Sequence, residues 1–323
     1  MIVDKWNDQL DRTQWRTQTH GSARGVKGID LNPGPRLTGD ARQMRVSFAS
    51  GADRTEAVRQ AVALLRREGV VVLDDFVDPG LLERCGREIE ERFPGWDQPD
   101  RERHIGSYPG RHTASLVIDG ALADPAIFAS PVLREIDQAI LGPDNVLESF
   151  GLLVSIPGAP DQGRHFDGLL FKENNLDPLL PAVALSIAIP LVRLDEVSGS
   201  TAFWRRSHRQ PYPGGPPDFA PLLPVGSALV WDFRLIHSGR ANLGPTPRPV
   251  LFAVHSRDWW MEPKREWASR YRKLQIAKNM HESFDKPMRD FTVRAELVDL
   301  DELRPVMLRR RPGAGRLRPY KSP

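Results

Sequence analysis

The chain has 323 residues, of which 40% are hydrophobic and 27% charged, and 45 basic against 42 acidic side chains leave a formal net charge of +3. This composition is typical of soluble proteins that can bury a sizeable core, and so small a charge excess predicts no nucleic-acid partner. A single cysteine, Cys85, excludes an intrachain disulfide, and no run approaches the ~20 apolar residues of a membrane span. Because no basic-then-apolar leader opens the sequence, we expect a cytoplasmic protein.

Helix signals follow a polar segment at the start of the chain. Residues 1–50 are rich in Gly, Pro, Arg, Thr and Gln, which predicts an extended N-terminal arm. Asp53 can cap a helix that continues through apolar positions at helical spacing and ends at Gly69. Similar signals predict a strand over 70–73, a helix from Pro79 to Phe93 with Cys85 on its buried face, and a helix from Pro131 to Ile140.

Short strands separated by turns dominate the chain after residue 147. We expect strands over 152–156, 165–171, 183–192, 201–204, 228–231 and 249–254. Many short strands at this spacing favour a sandwich or jelly roll, and the preceding helices would lie against the outside of one sheet. The sequence therefore predicts a mainly β protein with flanking helices. We expect one domain over 51–300, a β-core at about 147–258, a helix from Trp267 to Met280 and a solvated basic tail over 301–323.

A histidine and a carboxylate stand two residues apart in one of the predicted strands. Side chains alternate between the faces of a strand, so His165 and Asp167 are expected to project to the same side. Fe(II) accepts nitrogen and oxygen ligands together, and a third ligand from a distant strand would complete a 2-His-1-carboxylate facial triad. His237, which follows the strand predicted at 228–231, is the candidate for that ligand. By itself, a His-x-Asp tripeptide is also typical of a solvated strand end.

Further motif residues surround these three candidates. In chain order they are Gln162, His165, Asp167, Gly168, Asp195, Gly199, Ser207, His208, Gly226, Asp232, His237, Asn242 and Arg248. The order and spacing of this set resemble those of the phytanoyl-CoA dioxygenase (PhyH) family of Fe(II)/2-oxoglutarate-dependent oxygenases. The resemblance implies a double-stranded β-helix core (a cupin-like jelly roll) buttressed by N-terminal α-helices. It also implies that His165, Asp167 and His237 are the metal ligands and the catalytic residues.

The same resemblance implies the chemistry. Fe(II) would be the metal, 2-oxoglutarate and O2 the cosubstrates, and succinate and CO2 would form while an unactivated C–H bond of a small molecule is oxidised. Hydroxylation is the expected outcome, because Asp167 occupies the position where related halogenases carry a small residue; desaturation, epoxidation and ring formation stay open. Arg- and Pro-rich usage fits a bacterial tailoring enzyme of secondary metabolism. The sequence indicates neither the identity of the substrate nor the oligomeric state.

Arg248 is the candidate for holding the distal carboxylate of 2-oxoglutarate. A guanidinium is permanently charged and can bind a carboxylate through two parallel hydrogen bonds, which lysine cannot reproduce. The family often has a serine two residues after the distal histidine as a second anchor, whereas this chain has Ser238 one residue after His237 and Gly239 two residues after it. Other candidates for contact with the cosubstrate are Gln162, Thr201 and Ser155.

Candidates for substrate contact are less specific. Basic and aromatic residues flank the motif strands and could receive an anionic or aromatic molecule: Arg164, Lys172, Trp204, Arg205, Arg234, Trp259 and Trp260. Residues of these types are equally typical of packing and surface positions. His104 and His112 lie in a turn-rich region and could line the mouth of a pocket, although loop histidines are commonly just exposed.

Two other classes of function stay open at this level. A metal-dependent hydrolase or a cupin-type enzyme could use the same triad without 2-oxoglutarate, and turnover of 2-oxoglutarate to succinate would separate it from an oxygenase. A non-enzymatic β-sandwich binding protein could carry the histidines as structural residues. Stoichiometric anaerobic binding of Fe(II) would exclude that class.

Overall fold

A computed structural model of the protein describes residues 41–92, 110–171, 176–210, 215–261 and 274–300. Residues 1–40 of the predicted arm, the predicted tail over 301–323, His104 and Lys172 lie outside these ranges. Within them the protein is mainly β with flanking helices, as the sequence predicts. No helix among the described residues combines the length and the apolar character needed to cross a membrane.

Seven strands form the main sheet, and their spatial order differs from their order in the chain. The order across the sheet is β1-β2-β8-β6-β10-β5-β3, with antiparallel pairs except for the parallel pair at the β1 edge. The bounds are β1 (Arg45–Ser47), β2 (Val70–Asp74), β3 (Arg111–Ser115), β5 (Asn145–Ser155), β6 (Ala184–Pro190), β8 (Ala228–Asp232) and β10 (Arg248–Arg257).

Two smaller sheets accompany the main one. A two-stranded antiparallel sheet consists of β7 (Thr201–Phe203) and β9 (His237–Gly239), and isolated bridges extend it from His237 to His165 and from Phe203 to Phe219. A three-stranded parallel sheet, in the order β12-β11-β4, consists of β4 (Val117–Ile118), β11 (Gln275–Ala277) and β12 (Glu296–Val298).

Side-chain caps mark the start of several helices. The helices are α1 (Arg54–Glu68), α2 (Pro79–Arg92), α3 (Pro125–Phe128), α4 (Pro131–Leu141), α5 (Lys278–Ser283) and α6 (Lys286–Phe291). Asp53 accepts a hydrogen bond from the backbone N–H of Glu56, and Gly69 ends α1 in the left-handed conformation with φ of 85°. Cys85 of α2 is fully buried, and burial raises the pKa of its thiol to about 12, so its predicted role as a packing residue is confirmed.

The two faces of the main sheet have different environments. One face packs against the helices, where His255 of β10 contacts Asp137 of α4 at 2.8 Å between Nδ1 and Oδ2. The opposite face of β10 carries Arg248, which donates hydrogen bonds to carbonyl oxygens next to β9, so this face lies toward the two-stranded sheet. Although β10 is a central strand, alternate residues on this face stay partly exposed: Val250, Phe252 and Val254. The face that lies toward the two-stranded sheet is therefore less tightly packed than the face against the helices.

Some elements differ from the sequence-based expectation. The strand predicted over 165–171 is absent: His165 forms one isolated bridge and the residues after it are irregular. The described end of the helix predicted over 267–280 also differs, because Gln275–Ala277 is a strand and α5 starts only at Lys278. Regular structure also begins before Asp53, since Met44 is buried and β1 pairs with β2. Pairing with distant strands creates β1 and β11, whereas the segment after His165 has no ladder of strand partners and stays irregular.

Candidate active site

Three side chains from distant parts of the chain meet in the interior. His165, Asp167 and His237 each offer one ligand atom, and these atoms all lie within 4.8 Å of one another. The two imidazole rings are 4.4 Å apart between centroids, and Nε2 of His237 is 3.5 Å from Oδ1 of Asp167. Two imidazole nitrogens and one carboxylate oxygen are a donor set that suits Fe(II), so these residues fit the predicted metal.

Backbone hydrogen bonds bring these three residues together. His165 and His237 exchange a pair of bonds, at 2.9 Å from the N–H of His165 and 2.7 Å from that of His237. The N–H groups of Asp167 and Gly168 both donate to the carbonyl oxygen of Phe233, which directly follows β8. The predicted strand alternation is therefore not the reason that His165 and Asp167 face the same point. A single bridge to β9 and a contact with the end of β8 fix them instead.

Each histidine is held in one tautomer. Nδ1 of His165 lies 2.9 Å from the carbonyl oxygen of Gly163, and Nδ1 of His237 lies 2.9 Å from that of Leu235. A carbonyl oxygen can only accept, so both Nδ1 atoms carry the proton and the lone pair for a metal is on Nε2. Burial, reinforced by the neighbouring His237, lowers the pKa of His165, which keeps this imidazole neutral at neutral pH.

The carboxylate of Asp167 has two further contacts with the main sheet. Its Oδ2 accepts a hydrogen bond from the hydroxyl of Ser186 at 2.7 Å and another from the indole Nε1–H of Trp231 at 3.1 Å. Ser186 of β6 and Trp231 of β8 are directly paired across the two strands. The oxygen that lies toward His237, Oδ1, is the other one.

Two buried arginines lie across three adjacent strands at another part of the interior. Arg111 of β3 and Arg248 of β10 both pair with Ser155 of the intervening β5. Arg248 donates to the hydroxyl of Ser155 at 2.8 Å and to the carbonyl oxygens of Ser198 and Arg240 at 2.7 and 3.0 Å. Burial, with the nearby positive charge of Arg111, lowers the pKa of Arg248 to about 10. The region therefore favours a bound anion.

Arg111 was not among the residues singled out from the sequence. Its guanidinium donates to the carbonyl oxygens of Pro160, Gly239 and Arg240, at 2.5, 3.2 and 2.9 Å. These contacts tie β3 to the strand that carries His237. The segment around Arg111 lacks a clear apolar alternation, so only the register of β3 against β5 reveals its position beside Arg248.

Gln162 takes the space that a side chain at position 239 would need. Its Oε1 accepts from the backbone N–H of Gly239 at 2.9 Å, and a Cβ atom added at Gly239 would stand only 2.4 Å from that oxygen. Thr201 of β7 is the strand partner of Gly239. Of the four residues predicted to contact the cosubstrate, Gln162 and Thr201 thus lie at β9, and Ser155 and Arg248 are hydrogen-bonded to each other on the main sheet.

Several predicted substrate-contact residues have other partners. Arg234 is buried, and its guanidinium binds both carboxylate oxygens of Asp232 at 2.9 and 2.7 Å. Arg205 donates to the buried Glu68, and the indole of Trp204 donates to the carbonyl oxygen of Gly215. These contacts speak against a substrate role for the three residues. Of the others, Arg164 and Trp259 are exposed, His112 is partly buried on β3, and Trp260 packs against Phe233 at 5.3 Å between ring centroids.

Several known proteins are similar to this chain in sequence. Residues 65–250 match the family model described as Phytanoyl-CoA dioxygenase (PhyH). The chain is 24% identical over 238 residues to Dioxygenase trt7 of Aspergillus terreus (strain NIH 2624 / FGSC A1156), covering 68% of this chain and 82% of that protein. It is also 24% identical over 217 residues to the Iron/alpha-ketoglutarate-dependent dioxygenase ausU of Aspergillus calidoustus, covering 64% and 71%.

Among solved structures, the non-heme alpha ketoglutarate dependent epimerase SnoN from nogalamycin biosynthesis is similar at 19% identity, with a TM-score of 0.48 and coverage of 66% of this chain and 95% of that one. The family match extends over more than half of the chain and includes all three candidate metal ligands. This chain therefore belongs to the phytanoyl-CoA dioxygenase family and is an oxygenase that uses iron and 2-oxoglutarate.

Proposed function

We propose that the protein hydroxylates an unactivated C–H bond of a small organic molecule, with Fe(II) bound by His165, Asp167 and His237. The observation that carries the proposal is the convergence of these three donors within 4.8 Å in an interior that also holds two buried arginines. When bound, iron and 2-oxoglutarate supply the oxidising chemistry, in which O2 and 2-oxoglutarate yield succinate and CO2. The protein binds, orients and shields the reactants.

The two arginines provide the anchor for 2-oxoglutarate in this proposal. Arg248 would bind the distal carboxylate, and Arg111 would add a second positive charge beside it. Gln162 and Thr201, next to Gly239, would contact the same ligand from the two-stranded sheet. The interior between Arg248 and the neighbours of Asp167 is lined by the partly exposed apolar residues of β10, which suit the methylene groups of the cosubstrate.

The fold suits such a site. We infer that the main sheet and the sheet of β7 and β9 are the two halves of a double-stranded β-helix, because the bridges at His165 and Phe219 widen the smaller sheet and Arg248 of the main sheet donates to the carbonyl oxygen of Arg240, directly after β9. The predicted domain over 51–300, with its β-core at about 147–258, remains our inference, and β1 is added to it because this strand pairs with β2. Inward-facing positions of such a fold converge on one cavity.

Hydroxylation is the proposed outcome because Asp167 supplies a carboxylate ligand at the position that would otherwise be open to a halide. Desaturation, epoxidation and ring formation depend on how a substrate lies in the cavity and use the same ligands. The proposed substrate class, a small molecule of secondary metabolism, rests on composition alone.

An aerobic mass-spectrometric screen tests this function. The purified protein is incubated with Fe(II), 2-oxoglutarate and a panel of candidate metabolites in chloride buffer, and succinate is quantified in parallel. We expect one product that has gained one oxygen atom, formed with matching succinate and lost in the His237→Ala variant. A chlorinated product would contradict hydroxylation, turnover without 2-oxoglutarate would favour the cupin-type alternative, and full activity of His237→Ala would refute the ligand assignment.

A further inference from the structure

Two side chains from neighbouring strands, one on β6 and one on β8, contact the same oxygen of Asp167. Ser186 and Trp231 are both buried, at 5% and 8% exposure, and both donate a hydrogen bond to Oδ2. Oδ1 accepts neither of these bonds and lies 3.5 Å from Nε2 of His237. The two oxygens of one carboxylate are therefore in different environments.

Two donors on Oδ2 restrict how this carboxylate can bind a cation. A carboxylate oxygen has two in-plane lone pairs, and a hydrogen bond to each leaves none for a metal. Ser186 and Trp231 are direct partners on paired strands of the main sheet, so the sheet fixes the backbone positions from which both donors reach Oδ2. Coordination through both oxygens would require Oδ2 to give up at least one of these bonds.

Trp231 also contacts a second member of the site. Its ring lies 5.3 Å from the imidazole of His237 and 5.8 Å from the ring of Phe203, measured between centroids. Phe203 in turn lies 6.2 Å from His237. The indole ring of Trp231 thus limits the tilt of the His237 imidazole, and its N–H restricts the rotation of the Asp167 carboxylate. Metal-site affinity commonly depends on such outer contacts, whose loss costs about 10- to 100-fold.

We propose that Ser186 and Trp231 are positioning residues that hold Asp167 as a one-oxygen ligand, through Oδ1, and thereby keep a coordination position open for the reaction. This inference rests on the proposed function, since it assumes that Asp167 binds the iron. It assigns to the end of β8 a role in the metal site beyond the backbone contact from Phe233.

Anaerobic titration with Co(II), which substitutes for Fe(II) and has a visible spectrum, tests the inference without any substrate. Ser186→Ala removes a hydroxyl, and Trp231→Phe removes the N–H while it keeps an aromatic ring beside His237. Ser227→Ala is the matched control, because Ser227 is also buried and donates to an aspartate, Asp74, at 3.0 Å but away from the site. We expect each test variant to raise the Co(II) dissociation constant about 10-fold, within the range for such contacts, and the control to leave it unchanged.

The visible spectrum separates positioning from simple loss of stability. A carboxylate that is free to bind through both oxygens changes the ligand field of Co(II), so the visible absorption bands of both test variants should differ from those of the wild type and of Ser227→Ala. Circular dichroism of the metal-free proteins checks the fold, and Ser186→Ala keeps the test valid if Trp231→Phe does not fold.

Different results would overturn different claims. If wild type and His237→Ala bind Co(II) equally, the proposed ligand set fails. If the wild type binds through that set but both test variants keep its dissociation constant and its spectrum, only the positioning role of Ser186 and Trp231 fails. Weaker binding in Ser227→Ala as well would also contradict the inference, since the effect would then be general.

Discussion

Arg248 shows how one residue can depend on its surroundings for its function. The side chain is 5% exposed and lies close to Arg111, and this environment lowers the pKa of its guanidinium to about 10. Its neutral partners, one hydroxyl and two carbonyl oxygens, orient the group without cancelling its charge. A dicarboxylate that enters the interior would therefore gain more from Arg248 than from an exposed arginine.

Replacing Arg248 by alanine should weaken 2-oxoglutarate binding about 10- to 100-fold, because a charged bidentate contact contributes about 1.5–3 kcal/mol. The dissociation constant can be measured by titrating 2-oxoglutarate into the Co(II) protein. Arg248→Lys keeps the charge but loses the planar fork, so it should recover only part of the affinity. An unchanged dissociation constant in Arg248→Ala would remove this residue from the cosubstrate site.

At the scale of elements, a buried ion pair stabilises the segment that follows the candidate metal ligands His165 and Asp167. Arg234, just after β8, binds Asp232 and donates to the carbonyl oxygens of Asp177 and Leu180. Asp177 in turn accepts from the backbone N–H groups of Leu170 and Phe171, at 2.6 and 2.9 Å. These hydrogen bonds hold the irregular segments before residue 172 and after residue 175 against the end of β8, the strand that also contacts Asp167.

Removing Arg234 should therefore affect stability first. Arg234→Met leaves Asp232 buried without its partner, and we expect the free energy of unfolding to fall by about 3–5 kcal/mol. Arg54→Met is the matched control, since Arg54 forms an exposed pair with Glu135 and its loss should cost at most about 1 kcal/mol. Chemical denaturation measures both. Equal stability of the two variants would contradict the structural role and restore Arg234 as a candidate for substrate binding.

Local signals predict some elements well and others poorly. Asp53 and Gly69 mark the limits of α1 because capping depends only on nearby backbone groups, and Ser130 likewise caps α4. The strand at Gln275–Ala277 could not be predicted in the same way, because its pairing with β4 and β12 creates it. Short strands of this kind take their stability from distant partners.

Sequence motifs likewise predict some residues of the candidate site, whereas strand pairing alone brings in the others. The order of motif residues was sufficient to predict that His165, Asp167 and His237 lie together. It did not predict what orients Asp167, because Ser186 and Trp231 belong to no local pattern with it and approach only through the pairing of β6 with β8. Arg111 escaped prediction for the same reason. Its neighbour Arg248 is far away in the chain, and β5 lies between their strands.

At the scale of the whole molecule, the site joins segments that are distant in sequence. In the proposed site, the metal and 2-oxoglutarate would contact residues of β3, β5, β7, β9 and β10, and would thus connect strands of both sheets. Ligands that bind only the folded state stabilise all of the structure that unfolds with the site. The thermal stability of the protein should therefore report on occupancy.

Co(II) and 2-oxoglutarate together should raise the melting temperature by on the order of 5 °C when each is present at about 100 times its dissociation constant. Differential scanning fluorimetry under anaerobic conditions measures this shift. His237→Ala should lose most of it, whereas Ser227→Ala should show the wild-type shift. A shift of equal size in His237→Ala would indicate that the ligands bind elsewhere.

The close contact between Gln162 and Gly239 has a consequence for how this site could change during evolution. A serine at position 239, which the family often carries, would bring its Cβ atom to 2.4 Å from Oε1 of Gln162 as that side chain now lies. Exchange at one position therefore demands movement or exchange at the other. In relatives that keep a glutamine at the position of Gln162, a side chain at the position of Gly239 should therefore accompany a different placement of the glutamine amide.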